Sequence, residues 1–208
     1  MSVPKSPASG GPEPKAPGVD RRGEGADWQN PWPPRGIVQG EPQPSAGVDA
    51  LRAAGYRVIF DVTPMPEDAD EYQDHLNNSA AVRMFNELRM AYVAARLAPD
   101  WPRYVRRGNL AVVVRELHIA YDSEGWMHER YVGGTRVSQH RGKSGVHEQH
   151  LVEATTGRSL ARAWLVQLLV GADGVMQWPD WYWEKIAEVE GAPALEKDAV
   201  RAPWGPPA

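Results

Sequence analysis

The chain has 208 residues, no cysteine and a formal net charge of −4 from 23 basic and 27 acidic side chains. That balance excludes disulfide and thiolate chemistry and offers no general basic field for nucleic acid. No segment reaches the ~20 apolar residues of a membrane span, and the start at Met1 lacks the apolar run of a secretory signal, so the expectation is a cytoplasmic protein with neither a nucleic-acid nor a membrane partner.

Residues 1–50 hold ten prolines and eight glycines and few large aliphatic side chains. Such a composition buries too little apolar surface to offset its ordering entropy, which predicts a disordered tail. The aromatic and proline-rich stretch from Trp28 to Pro34 is a candidate extended docking patch within it. Residues 51–190 have the length of one domain, and 191–208, rich in Ala and Pro, read as a flexible C-terminal tail.

Within the domain, Tyr56–Val62 is β-branched and aromatic and predicts a strand, which Pro64 and Pro66 end. A helix is expected from Asn78 or Ser79, both good caps, to Leu97. Its apolar stripe is Ala81, Met84, Phe85, Leu88, Tyr92 and Ala95, spaced three and four apart. Glu87 falls roughly 100° from the centre of that stripe, on the flank, within reach of Arg83. Pro99 and Pro102 are read as stops.

Four strands follow: Leu110–Tyr121, Trp126–Gln139, Val146–Ala154 and Ser159–Val170. Gly133-Gly134 inside the second suggests a bulge or bend. Short links make these strands antiparallel neighbours. The last is apolar on both faces, as a covered central strand is. Asp180–Val189 predicts a short closing helix capped by Asp180. One long helix facing one antiparallel sheet is an α+β layer arrangement.

The densest chemistry lies just before the long helix, in Asp70-Glu71-Tyr72-Gln73-Asp74-His75-Leu76-Asn77-Asn78. Unpaired amides and a partial positive charge at a helix start can receive an anion, or a carbonyl oxygen that becomes one. A simpler reading makes Asn78 or Ser79 a cap, and the acids a solvated approach that complements the helix dipole.

His75-Leu76-Asn77-Asn78, in this order of elements, resembles the His-Val-Asn-Asn signature of acyl-ACP thioesterases in the hotdog-fold superfamily, which also holds the 4-hydroxybenzoyl-CoA thioesterases. The resemblance covers about residues 55–188 and includes Gln177–Trp181, similar to the family's proline before a short closing helix. It implies a hotdog fold, an antiparallel five- to six-stranded sheet wrapped around one long central helix, with sites between subunits of a homodimer or tetramer. It also implies hydrolysis of an acyl thioester of CoA or acyl carrier protein. Family positions assign the catalytic carboxylate to Glu71, where an Asp is usual, and a further acid to Glu87; His75, Asn77 and Asn78 complete the site. Asp70 and Asp74 are alternatives for the carboxylate, and Ala81 stands where an aromatic residue is common.

A carboxylate would attack the thioester or activate water, His75 would polarise or orient, and the two asparagines would hold a water and cap the helix. Carrier phosphates call for local cations, which Arg136, Arg141 and Lys143 supply, with Arg103, Arg106 and Arg107 as a second cluster. No metal and no cofactor are expected. His147 and His150 stand three apart in a strand and face opposite sides, and no Gly-x-Ser-x-Gly elbow or phosphate loop is present. A second class of function on the same fold is non-catalytic binding of an acyl ligand, motivated by the Asp-to-Glu departure and the long tails.

Overall fold

Runs of β-branched and aromatic residues pair here into one sheet; the computed structural model describes residues 34–72 and 74–196. The body of the sheet is β2 (Val58–Val62), β3 (Ala111–Tyr121), β4 (Tyr131–Arg141), β5 (Ser144–Glu153) and β6 (Ser159–Gly171). They lie in the order β2-β4-β5-β6-β3, every neighbour antiparallel. Short β1 (Ile37–Val38) extends the β2 edge, β7 (Gly174–Met176) folds back on the end of β6, and β8 (Leu195–Glu196) runs parallel to β4. Among the described residues the sheet therefore has eight strands, six of them on its continuous path. As its two-sided apolar pattern requires, β6 lies between neighbours, and Trp164, Leu165 and Val166 are buried.

The stripe on the long helix does what its spacing dictates. In α2 (Asn78–Tyr92), Ala81, Met84, Phe85, Leu88 and Tyr92 are buried against one face of the sheet. Burying a side chain of this size stabilises by about 1.5–3 kcal/mol. Ala95 is the exception and is exposed. The helix turns π over Val93–Leu97, where the Ala98 amide donates to the Val93 carbonyl five residues back at 2.9 Å. The extra residue in that turn rotates Ala95 outward and Leu97 into the core.

Gly133 and Gly134 mark no bulge. The ladder runs through both, opposite Leu151 and His150, and the register shifts later, between Val137 and Gln139. Their role is close approach: a Cβ on Gly133 would collide with the Leu88 side chain, and one on Gly134 would stand 2.6 Å from the Tyr56 ring.

Part of the segment expected as a disordered tail, within residues 34–50, forms secondary structure. Besides β1, α1 (Ala46–Ala53) is ordered, its first turn capped by Ser45 Oγ, which accepts from the Val48 amide at 3.3 Å. Val48 and Leu51 pack with Ile59, Val132 and Val152 in a small second core apart from the α2 cluster. The stretch is poor in apolar residues, and two well-placed ones suffice for one short helix. Most of the Trp28–Pro34 patch lies outside the described residues.

Beyond the π turn, Pro99 caps α3 (Asp100–Arg107), and Pro102 sits in its first turn, where a missing N–H costs nothing. Trp101 of α3 stacks on Trp178 at 5.2 Å and meets Tyr182 at 4.5 Å. Those partners belong to the approach and first turn of α4 (Asp180–Glu190), capped by Pro179 rather than Asp180 and ended by Gly191 at φ 72°. Leu195 and Glu196, expected to lie in a flexible C-terminal tail, pair with β4.

Glu153 closes the β5–β6 turn by accepting from the Thr155 and Thr156 amides at 2.8 and 2.7 Å and from Thr156 Oγ1 at 2.6 Å. Burial opposes its ionisation, but these bonds outweigh it and hold its pKa down from 4.5 to about 2. The unfolded carboxyl therefore binds a proton first as pH falls. Its stabilisation is full above pH 4.5 and is lost as pH drops through about 2. At about 1.36 kcal/mol per unit, this is on the order of 3 kcal/mol. Urea unfolding followed from pH 5 to pH 2 is expected to show that loss, and Glu153→Gln to remove most of that slope.

Candidate active site

The loop between β2 and α2 is tied down by two side chains. Asp68, 2 % exposed, accepts from the Met65 amide at 2.7 Å and takes two bonds from Arg83 of α2, at 2.7 and 2.5 Å. Asn77 uses every polar atom of its amide. Its Oδ1 accepts from the Ala80 amide at 2.9 Å and from Ser79 Oγ at 2.6 Å, while its Nδ2 donates to the carbonyls of Glu67 and Ala69 at 3.0 and 3.1 Å. The cap of α2 is thus Asn77, the first of the two asparagines, and neither Asn78 nor Ser79. Its amide has no capacity left to hold a water.

Between these ties the chain doubles back on itself. Ala69 bridges Leu76, and the Asp70 amide donates to the His75 carbonyl at 2.9 Å. His75 in turn bridges Trp126 and meets its ring edge-on at 6.2 Å, while the Leu76 amide donates to the Gly125 carbonyl at 2.8 Å. A Cβ at Gly125 would lie 2.7 Å from Leu160 and 2.9 Å from Leu76, so a larger residue there would push those side chains aside.

The result is a groove of about 370 Å³ at the start of α2. His75, Asn77, Asn78 and Ala81 line one side, and Tyr121–Gly125 with Leu160 the other. Sequence reasoning missed the Tyr121–Gly125 wall. Its only local signal is the polar Asp122-Ser123-Glu124 turn after a strand. Tyr121 Oη donates to the Asn78 carbonyl at 2.8 Å, fastening the wall to the helix. Asp122 is held by Arg162 through two bonds, at 2.7 and 2.9 Å, and by Ser159 Oγ at 2.6 Å. The Arg162 bonds chiefly hold its carboxyl below the ordinary range. Behind the wall, burial disfavours the Glu129 carboxylate, yet bonds from Tyr131, Arg158 and the Trp126 amide outweigh it and lower its pKa. These acids stay ionised and anchor the wall.

The expected site residues separate into three groups. His75 and Asn78 come together at the groove, and with Asn77 committed to the cap, the Asn78 and Ser79 amides remain as donors at the helix start. Glu71 is exposed, makes no hydrogen bond or ion pair among the described residues and does not line the groove. The carboxylate nearest His75 is Asp70, whose Oδ2 stands 4.0 Å from Nε2. Asp74 pairs instead with His128 at 3.3 Å on the open surface. Glu87 lies about 13 Å further along α2 at 1.5 Å per residue. It accepts from the Arg35 amide at 2.8 Å rather than from Arg83, whose partner is Asp68.

The third group, the expected phosphate contacts, lies elsewhere. Arg136 is bound to Glu148 at 2.6 and 3.1 Å and lies over the Tyr56 ring at 4.7 Å. Arg141 and Lys143 sit at the β4–β5 hairpin, opposite Leu168 of β6, and Lys143 Nζ donates to the Val175 carbonyl at 2.7 Å. Leu160 of the groove is eight residues away on that strand, about 27 Å. Among the described residues no three His, Asp or Glu are grouped to hold a metal ion, and no helix is long and apolar enough to cross a membrane.

Comparison with known proteins places this geometry. A family model described as thioesterase-like superfamily matches residues 64–187. Among solved structures, the chain is similar to a thioesterase from Thermus thermophilus complexed with coenzyme A and Zn: 22 % identity, TM-score 0.57, covering 67 % of this chain and 98 % of that one. A thioesterase-superfamily protein from Jannaschia sp. CCS1 matches at 21 % identity and TM-score 0.58, over 74 % and 98 %. A 1,4-dihydroxy-2-naphthoyl-CoA thioesterase from Synechocystis matches at 12 % and 0.56, over 62 % and 95 %. A search of curated proteins gave no match. The likeness establishes the hotdog fold.

The lock at Asn77 has a measurable weight. Asn77→Ala removes the cap and leaves two carbonyls without their donor. It is expected to destabilise by about 1–2 kcal/mol. Asn78→Ala, at an exposed position, is expected to stay within about 0.5 kcal/mol. Paired denaturant titrations read both.

Proposed function

The chain belongs to the thioesterase-like superfamily, and on that premise we propose that it hydrolyses an acyl thioester, of coenzyme A or of an acyl carrier protein, in the groove at the start of α2. The observation that carries the proposal is the meeting, at one groove, of His75 and Asn78 at the helix start, with the Asp70 carboxylate 4.0 Å from the imidazole.

In this reading water attacks the carbonyl carbon as His75 takes its proton, and Asp70 balances the charge of the imidazolium. The carbonyl oxygen, now an oxyanion, is received by the Asn78 and Ser79 amides, which need no reorganisation. Collapse of the intermediate expels the thiolate, which the imidazolium protonates. Asn78, whose side chain makes no hydrogen bond within the described residues, orients the water or the thioester. Glu71, the family-position choice for the carboxylate, has no part in this scheme, because Asp70 is the acid beside His75.

Assembly as a homodimer is part of the proposal. The free edge of β3 exposes Val113, Val114, Leu117 and Tyr121, each 39–52 % accessible, and such an edge invites pairing with another strand. Antiparallel pairing of β3 with a second copy would set the Ala111 end of one chain beside the Tyr121 end of the other. That brings the 141–145 hairpin of one copy toward the groove of the other, where Arg141 and Lys143 could meet carrier phosphates. One chain by itself holds the hairpin too far away.

Hydrolysis of a panel of acyl-CoA and acyl-ACP thioesters tests the chemistry. Asp70→Asn and His75→Ala are each expected to lower kcat/KM by about 100-fold or more. Glu71→Ala is expected to change it less than about threefold. Full activity of the Asp70 and His75 variants would end the assignment. Ligand bound but recovered intact from the unmutated protein would favour non-catalytic acyl binding instead. For assembly, the double variant Val114→Lys, Leu117→Lys is expected to sediment as a monomer and to lose turnover, while keeping its helical and sheet content by circular dichroism.

A further inference from the structure

A second cavity, of about 410 Å³, opens at the other end of α2, beneath the π turn. It and the groove are separated by seven residues of β6, Leu160 against Gln167, or about 23 Å. Its volume lies in the range of small-molecule sites. Most of its wall is apolar, from Val93, Trp101, Val105, Leu110, Val112 and Trp178.

Three of its polar residues leave a buried polar atom unpartnered among the described residues; Arg106 and Tyr182 also line it. Gln167, 3 % exposed, has its Nε2 buried with no hydrogen-bond partner among the described residues. Arg89 has its Nε buried and equally unpartnered, its other end reaching Asn86 through Nη2 at 2.7 Å. His147, 3 % exposed, leaves Nδ1 without a partner there. Folded proteins keep few such atoms, and three of them on residues that line one cavity point to a ligand for those side chains. Gln167 and Arg89 are donors. His147 adds no charge, because burial, and then the Arg89 guanidinium, push its pKa down to about 3. Of the three buried groups only Arg89 is therefore charged; its guanidinium and the Gln167 carboxamide suit an anion, and the apolar wall suits a hydrocarbon body.

We propose that this cavity binds a small carboxylic acid with an apolar body, its carboxylate held by the Arg89 guanidinium and the Gln167 carboxamide beside His147 and its body lying against Val93, Trp101 and Trp178. The site is separate from the His75 groove of the same chain and does not depend on the reaction assigned there. Exposed Arg106 stands among the lining residues and adds to the attraction of an anion.

Calorimetric titration of the full chain at pH 7.5 with octanoate, octan-1-ol and octylamine tests the proposal. Octanoate is expected to bind saturably, and the alcohol and the amine at least tenfold more weakly. Gln167→Leu and Arg89→Leu are each expected to weaken octanoate at least tenfold, and Val93→Trp to block it by filling the wall. Thermal melts confirm that each variant is folded. Should Gln167→Leu not fold, Arg89→Leu and Val93→Trp decide. His75→Ala is expected to leave octanoate binding unchanged, which separates this site from the groove. The proposal falls if octanoate gives no binding up to its solubility, if octan-1-ol binds as tightly, if the cavity variants bind normally, or if His75→Ala abolishes binding.

Discussion

The candidate site depends on the ion pair of Asp68 with Arg83, together with the amide of Asn77. The segment from Met65 to Asn77 carries the acids and the imidazole, yet it has little apolar weight of its own with which to pack. It is held by polar bonds instead. Buried Asp68 receives a helix guanidinium and a loop amide, and Asn77 receives one helix amide while donating to two loop carbonyls. Breaking one partner of a buried pair is far costlier than the pair is stabilising, because the remaining charge is left without water. Loop and helix start are therefore specified together, and the distance from Asp70 to His75 follows from that joint placement.

The long helix works as a spacer between two chemically unlike ends. Its first turn borders a polar groove whose wall includes the ionised, tethered Asp122. Its last turns border an apolar cavity in which a guanidinium and a carboxamide keep unmatched donors. The middle is committed to packing, with Gln149 of β5 donating to the Phe85 carbonyl at 2.8 Å and Leu88 seated over a glycine. The π turn belongs to the same economy of space. It brings Leu97 under the helix and lets α3 lay Trp101 onto the aromatic cluster of Trp178 and Tyr182.

Much of the fold was legible because its signals are periodic. The stripe from Ala81 to Tyr92 has no other reading at a period of 3.6, and the four later runs are long and bounded by turn residues. What escaped was set by single contacts. The eight residues of α1 lie among prolines and glycines, and only their docking on Ile59 and Val132 makes them a helix. Gly133-Gly134 resembles a defect until the helix that needs the space is in place. At the site, family position pointed to Glu71, but the turn at Asp70, whose Oδ1 accepts from the Tyr72 amide at 2.9 Å, leaves Glu71 outside the groove. The Tyr121–Gly125 wall joins the helix start only through sheet topology, which no local window reveals.

The contact between Leu88 and Gly133 also constrains how this protein can drift. Helix and sheet meet there with no slack, so the two positions share one fixed allotment of space. A lineage that enlarges residue 133 must shrink residue 88 in step, or else lift the helix off the sheet. Lifting it would open both of its ends at once, so compensated exchange at this pair is the path along which descendants can keep either cleft.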